Sequence, residues 1–264
     1  MTQSEHLLHL AGETSNSPGL PPDFWSTYGV DVSSFALSVL LLVAYYAYVA
    51  YRTRRNPTFT VQAVNMIARA EWVDSIMRDP GKEVLAVQTL RNSTMAATFL
   101  ASTSVLLIVG VLTLSAQGDK MEGTWHTLNI VGSARTELWL VKLLIMLLDL
   151  LVAFFSFSMA VRVFNHVGYM INVPLKRGHR MLQPEHVATH LNRAGTFYSI
   201  GMRAYYFCVP MVFWLFGPHL MLLATVALII ALYRLDRAPT AVAEDFSAEA
   251  NFLARHDSGH HAAS

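Results

Sequence analysis

The sequence predicts an all-α integral membrane protein, a bundle of four transmembrane helices with helical extensions on the cytoplasmic side. Three observations predict it. Of the 264 residues, 53% are hydrophobic and 14% charged, against roughly 25% charged in a soluble domain. Four long stretches are almost free of acid and base, and each matches the roughly 20 residues that a bilayer core about 30 Å thick requires of a helix. The remaining Lys and Arg gather in two of the segments between those stretches, the pattern that orients membrane helices.

The chain opens with a polar tail, residues 1–31. No Lys or Arg occurs before residue 52, so the first apolar stretch, 32–51, lacks the basic leader of a secretory signal and reads as a retained helix. The second and third spans are 95–114 and 138–164. The fourth, 204–233, holds no acid or base, but about 30 residues at 1.5 Å each reach ~45 Å, more than the hydrocarbon thickness. Pro210 and the pair Gly217-Pro218 supply places for a kink. Two crossings are ruled out in this reading, because each half of 204–233 is too short to span. Between spans one and two, Pro57 opens a helix to Arg78 with a ragged apolar stripe of Val61, Val64, Ile67, Ala68, Trp72 and Ile76. Asp79-Pro80-Gly81 is a turn, and 82–92 leads into span two. Pro184-Glu185 opens a further helix through His186, His190 and Arg193. The domain proper is 32–237, and 238–264 is a polar tail expected to be flexible.

Orientation follows from the bases. Arg52, Arg54, Arg55, Arg69, Arg78, Lys82 and Arg91 lie between spans one and two, and Lys176, Arg177, Arg180 and Arg193 between three and four. Both segments are therefore cytoplasmic. Four spans then put both termini on the outer side of a bacterial cytoplasmic (inner) membrane, with Arg234 and Arg237 at odds with that assignment.

Charge and cysteine content narrow the function. Nineteen Lys+Arg against eighteen Asp+Glu give a formal charge of +1, too little for a nucleic-acid field. A single cysteine, Cys208, excludes an internal disulfide framework and a Cys-based metal site. His186 and His190 share a helix face but lack the remaining ligands of a zinc site. Only His219 lies well inside a span, so one chain does not supply paired haem ligands. No cofactor, metal or catalytic residue is expected: Ser/His/Asp order, phosphate loop and dinucleotide fingerprint are all missing, and the protein reads as non-enzymatic.

Asp149 stands out, since a carboxylate ~16 Å into span three lies near mid-membrane, where ionisable groups mark functional sites. Lys142 and Ser156, seven residues to either side, share its face. His219, ~22 Å up span four, is at matching depth, so Asp149 and His219 are candidates for an ion or proton pathway. The alternative is a hydrogen-bonded carboxyl that fixes packing. On span two, Ser93, Ala97 and Ala101 form one small-residue row and Thr94, Thr98 and Ser102 another, suited to close helix packing within the bundle or between subunits. Arg91, Arg193 and Arg203 sit at the cytoplasmic ends of spans and are candidates for an anion or lipid headgroup.

Four motifs carry a resemblance. They are Arg91, Asn92, Ser93, Thr94, Met95 and Ala96; Asn192, Arg193, Ala194 and Gly195; Gly201, Met202, Arg203, Ala204, Tyr205 and Tyr206; and Trp214, Leu215, Phe216, Gly217 and Pro218. Over residues 35–236 the chain resembles a bacterial and plant membrane family known as domain of unknown function family 599. The resemblance implies a helical membrane protein and brings no activity. The expectation is a non-enzymatic protein, surrounded by lipid and oligomeric, that forms or gates a path for a small ion or solute. The alternative is an accessory subunit packed with other membrane subunits in a larger respiratory or photosynthetic complex.

Overall fold

A computed structural model describes residues 24–56, 58–79, 81–116, 136–173 and 183–237; residues 1–23 of the expected N-terminal tail, the C-terminal tail and the loop bases Lys120, Arg135, Lys176, Arg177 and Arg180 lie outside these, whereas residues 24–31, read as tail, are helical. Among the described residues the chain forms six α-helices: α1 Phe24–Arg55, α2 Val61–Arg78, α3 Glu83–Ala116, α4 Thr136–Met170, α5 Pro184–Phe216 and α6 Pro218–Asp236. All but α2 are long and apolar enough to cross a membrane.

The four-span expectation is therefore corrected. Helix α5 starts at Pro184, not Ala204, so 33 residues precede the break, or ~50 Å at 1.5 Å each. The 19 residues of α6 add ~28 Å, enough for a second crossing. Gly217, at φ 154° and ψ 154°, ends one helix and starts the next. Its N–H donates to Phe213 O at 3.2 Å, and its carbonyl accepts from Met221 N at 3.2 Å. Pro218 follows at the first position of α6, where a missing N–H costs nothing.

Helix α2 is capped by Thr60, whose Oγ1 accepts from Ala63 N at 3.3 Å. It lays Val64, Val73 and Ile76 against the bundle. Asn192 Nδ2 donates to Met66 O at 3.1 Å, fastening α5 to α2, and Gly81 turns the chain at φ 112°. The end of α6 returns to this same end of the bundle, where Arg237 forms a bridge with Thr60. The two ends of the described chain thus lie at opposite ends of the bundle, not together as four spans required.

Helix α4 packs most extensively on α5 and α3, and α6 packs on α1 and α5. Small residues set the spacing: Ala97 and Ala101 on α3, Ala153 and Ala160 on α4, and Ala194 and Ala204 on α5 are all buried. In lipid, where apolar side chains gain little by leaving the solvent, such close approach supplies the packing energy. In the first row Ala97 and Ala101 are buried against α4 and Ser93 is half-buried, whereas in the second Thr98 and Ser102 are exposed and Thr94 is half-buried. Apolar residues such as Phe99, Leu106 and Leu223 are at least 70% exposed, as suits helix faces in contact with lipid. Around Gly201 the fit is tightest: an added Cβ would lie 2.8 Å from the ring of Phe157, which is wholly buried. Gly201→Ala is expected to destabilise by about 1–3 kcal/mol through overpacking. A thiol-reactive dye on half-buried Cys208, followed through unfolding, reads this directly; an unchanged midpoint would show that α4 and α5 are not closely fitted.

Candidate functional site

Where α2 crosses the bundle it leaves a crevice of about 920 Å³ between itself, α3, α5 and α6. Helical spacing explains its polar wall: Gln62, Asn65 and Arg69 recur along one face of α2, and Gly195, Ser199 and Arg203 along the facing side of α5. Gln62 Oε1 accepts from Ser199 Oγ at 3.3 Å and from Arg203 Nη2 at 3.2 Å. The Arg203 guanidinium lies 5.0 Å from the centre of the Tyr46 ring.

Arg69 is held differently. Its Nε donates to Asn65 O at 2.9 Å, while its buried Nη1 has no hydrogen-bond partner among the described residues. A Cβ on Gly195 would overlap that nitrogen, so glycine is what lets the guanidinium lie against α5. Burial pushes its pKa below the usual arginine value. Neither Arg69 nor Arg203 forms an ion pair among the described residues. Among the described residues the single carboxylate in the walls is Asp236, which accepts from Tyr45 Oη at 2.9 Å. Two cations thus face one carboxylate that is already engaged.

Of the three arginines expected to meet an anion, Arg203 lines the crevice. Arg91 and Arg193 are exposed outside its walls, and Arg193 lies over the Phe197 ring at 5.7 Å. Arg69, read in the sequence as one more cytoplasmic base, is the residue missed. Its seven-residue spacing from Gln62 was the available signal.

Toward the other end of the bundle the crevice is closed by aromatic packing. Phe157 meets Tyr198 and Tyr205 edge-on, at 5.7 and 5.3 Å between ring centres. Tyr205 Oη also lies 2.8 Å from Ser104 Oγ. Beyond this barrier comes Asp149, half-buried on α4, whose buried Oδ2 has no hydrogen-bond partner among the described residues.

The expected partner does not reach it. His219 is exposed on the first turn of α6 and forms no hydrogen bond or ion pair with Asp149. Because the break at Gly217 lies at the far end of α5, His219 begins a new crossing instead of standing at mid-depth. Lys142 and Ser156 are buried, as their shared face with Asp149 implied. Lys142 has another partner: its Nζ lies 2.9 Å from Asp31 Oδ1 in an ion pair almost closed to solvent. It also donates to Trp214 O at 3.2 Å. Trp214 Nε1 donates to Asp31 Oδ1 at 3.2 Å, and its ring stacks on Phe35 at 4.7 Å.

These features define a multi-pass helical membrane protein with a polar crevice at one end, an aromatic barrier behind it and a buried ion pair at the other. The chain belongs to the family described as protein of unknown function DUF599, whose model matches residues 33–241. No curated protein and no solved structure matches it.

Proposed function

We propose that this is a non-enzymatic membrane protein that admits a small ion or polar solute to the crevice and passes it on when the aromatic barrier opens. The observation that carries the reading is a cavity of about 920 Å³ lined by two guanidinium groups that form no ion pair among the described residues, in a size range usual for ligand sites. The order of side chains on α4 supports a path. Phe164 at the crevice, Phe157, Asp149 and Lys142 follow at seven- or eight-residue steps, ~10–12 Å apart along the helix. Irregular or polar groups at such depth belong where they face protein or a cavity. The bases around α2, joined by Arg234 and Arg237 from the end of α6, support placing the crevice end in the cytoplasm. That assignment removes the conflict these two arginines posed for four spans.

Liposomes containing the protein and a trapped pH- or chloride-sensitive dye test the reading. Phe157→Ala is expected to raise ion flux above the parent protein, and Asp149→Asn to lower it. Flux equal to that of empty liposomes, in both the parent and Phe157→Ala, would overturn the proposal. Association with a second copy or another membrane subunit is a second reading, favoured by exposed Thr98 and Ser102 on α3. The mass of the intact assembly in gentle detergent decides it, and a lone monomer would exclude it.

A further inference from the structure

We infer that the crevice binds a phosphate group, held by Arg69 with Arg203 as the second cation of the same wall. This rests on reading the crevice as a solute site, and it names the chemistry of what enters. A buried guanidinium nitrogen without an acceptor is costly, because its lost hydration is not replaced. Arg69 Nη1 is in that state, and the packing of Gly195 holds it there. The guanidinium as a whole lines the crevice and has no anion to balance it among the described residues, so an anionic acceptor is what would complete it. Guanidinium forks match phosphate and carboxylate oxygens equally in shape. Around these two, however, the crevice also presents the amides of Asn65 and Asn92, neutral groups able to donate to further oxygens. Two cations and two neutral amides suit the multiple acceptor oxygens of phosphate better than the two of a carboxylate. The single wall carboxylate does not oppose this, since Asp236 is turned to the Tyr45 hydroxyl.

The rest of the cavity is apolar, with Leu90, Phe164 and Leu232 among its walls. Ala96 on α3 and Leu235 on α6, both exposed, form part of its rim. A phosphate carried on an acyl chain thus has a place for the chain, and a free phosphate has room as well.

The test uses purified full-length protein stripped of lipid, with three probes: inorganic phosphate, vesicles of phosphatidylcholine, and the same vesicles containing phosphatidic acid. Protection of Cys208 from a thiol dye during heating and native mass spectrometry report binding. Retention of phosphatidic acid in preference to phosphatidylcholine identifies a lipid headgroup; protection by inorganic phosphate alone identifies a free phosphate. Either supports the inference. Arg69→Gln is then expected to weaken binding about tenfold, ~1.4 kcal/mol, with Asn92→Ala as a milder variant should Arg69→Gln fail to fold. No preference for phosphatidic acid and no protection by phosphate in the parent protein would overturn it. Binding without flux in the liposome assay would overturn the path and leave this inference standing; flux without binding would do the reverse.

Discussion

Replacing Lys142 by methionine is expected to destabilise the protein by about 3–5 kcal/mol, the usual cost of removing one partner of a buried ion pair. Asp31 and Lys142 are 1% and 5% exposed. Once the ammonium is gone, the carboxylate loses its cation and the carbonyl of Trp214 loses a donor, both in an apolar surround where hydration cannot substitute. The Lys142 ammonium also lies 5.2 Å from the Trp214 ring centre, so the substitution loosens the contact holding the end of α5 against α1 and α4. The double variant Asp31→Asn, Lys142→Met is expected to lose much less than the sum of the two single changes, because it strands no charge. Unfolding in mixed micelles, read through Cys208, measures all three. A double variant as unstable as the summed singles would show that the pair does not act as a unit.

That pair also shows where sequence reading stopped. A search for stretches without acid begins span one at residue 32 and so discards Asp31, although the helix runs back to Phe24. Asp31 and Lys142 lie near the same end of their helices with opposite charge, and matching depths across spans would have joined them. The apolar cores of α1, α3 and α4, the turn at Gly81 and the inward face of Lys142 and Ser156 were all legible, because periodicity and length determine them. The fifth crossing was not. Arg193 and Arg203 lie inside α5, and a rule that ends a span at a base truncates any helix that carries arginines within its length. From that truncation came the single broken span and the depth assigned to His219. The crevice depends on two helices meeting face to face, which one-dimensional spacing suggests only after their pairing is known.

The other large effect is expected at the elbow between α5 and α6. Gly217, at φ 154° and ψ 154°, occupies a region essentially restricted to glycine, and it is buried. Gly217→Val is expected to cost about 3 kcal/mol, the upper part of the range for such backbone strain. If the chain escaped by taking helical angles at 217, against the extended preference of a residue before proline, α5 would continue into α6. The 53 residues from Pro184 to Asp236 would then approach one rod of ~80 Å, far beyond a hydrocarbon core of about 30 Å. Helix α6 would have to leave α1, giving up the bond from Thr225 Oγ1 to Ser38 Oγ at 3.2 Å and that from Tyr45 Oη to Asp236. The second of these holds the one carboxylate of the crevice, so the elbow and the polar crevice at the opposite end are coupled through α6. Cysteines placed at 38 and 225 in a Cys208→Ser background measure the pairing. They are expected to cross-link readily with Gly217 present and much more slowly with valine, together with a lower unfolding midpoint. If both cross-linking and stability survive valine, the elbow tolerates a side chain and α6 is held by its packing alone.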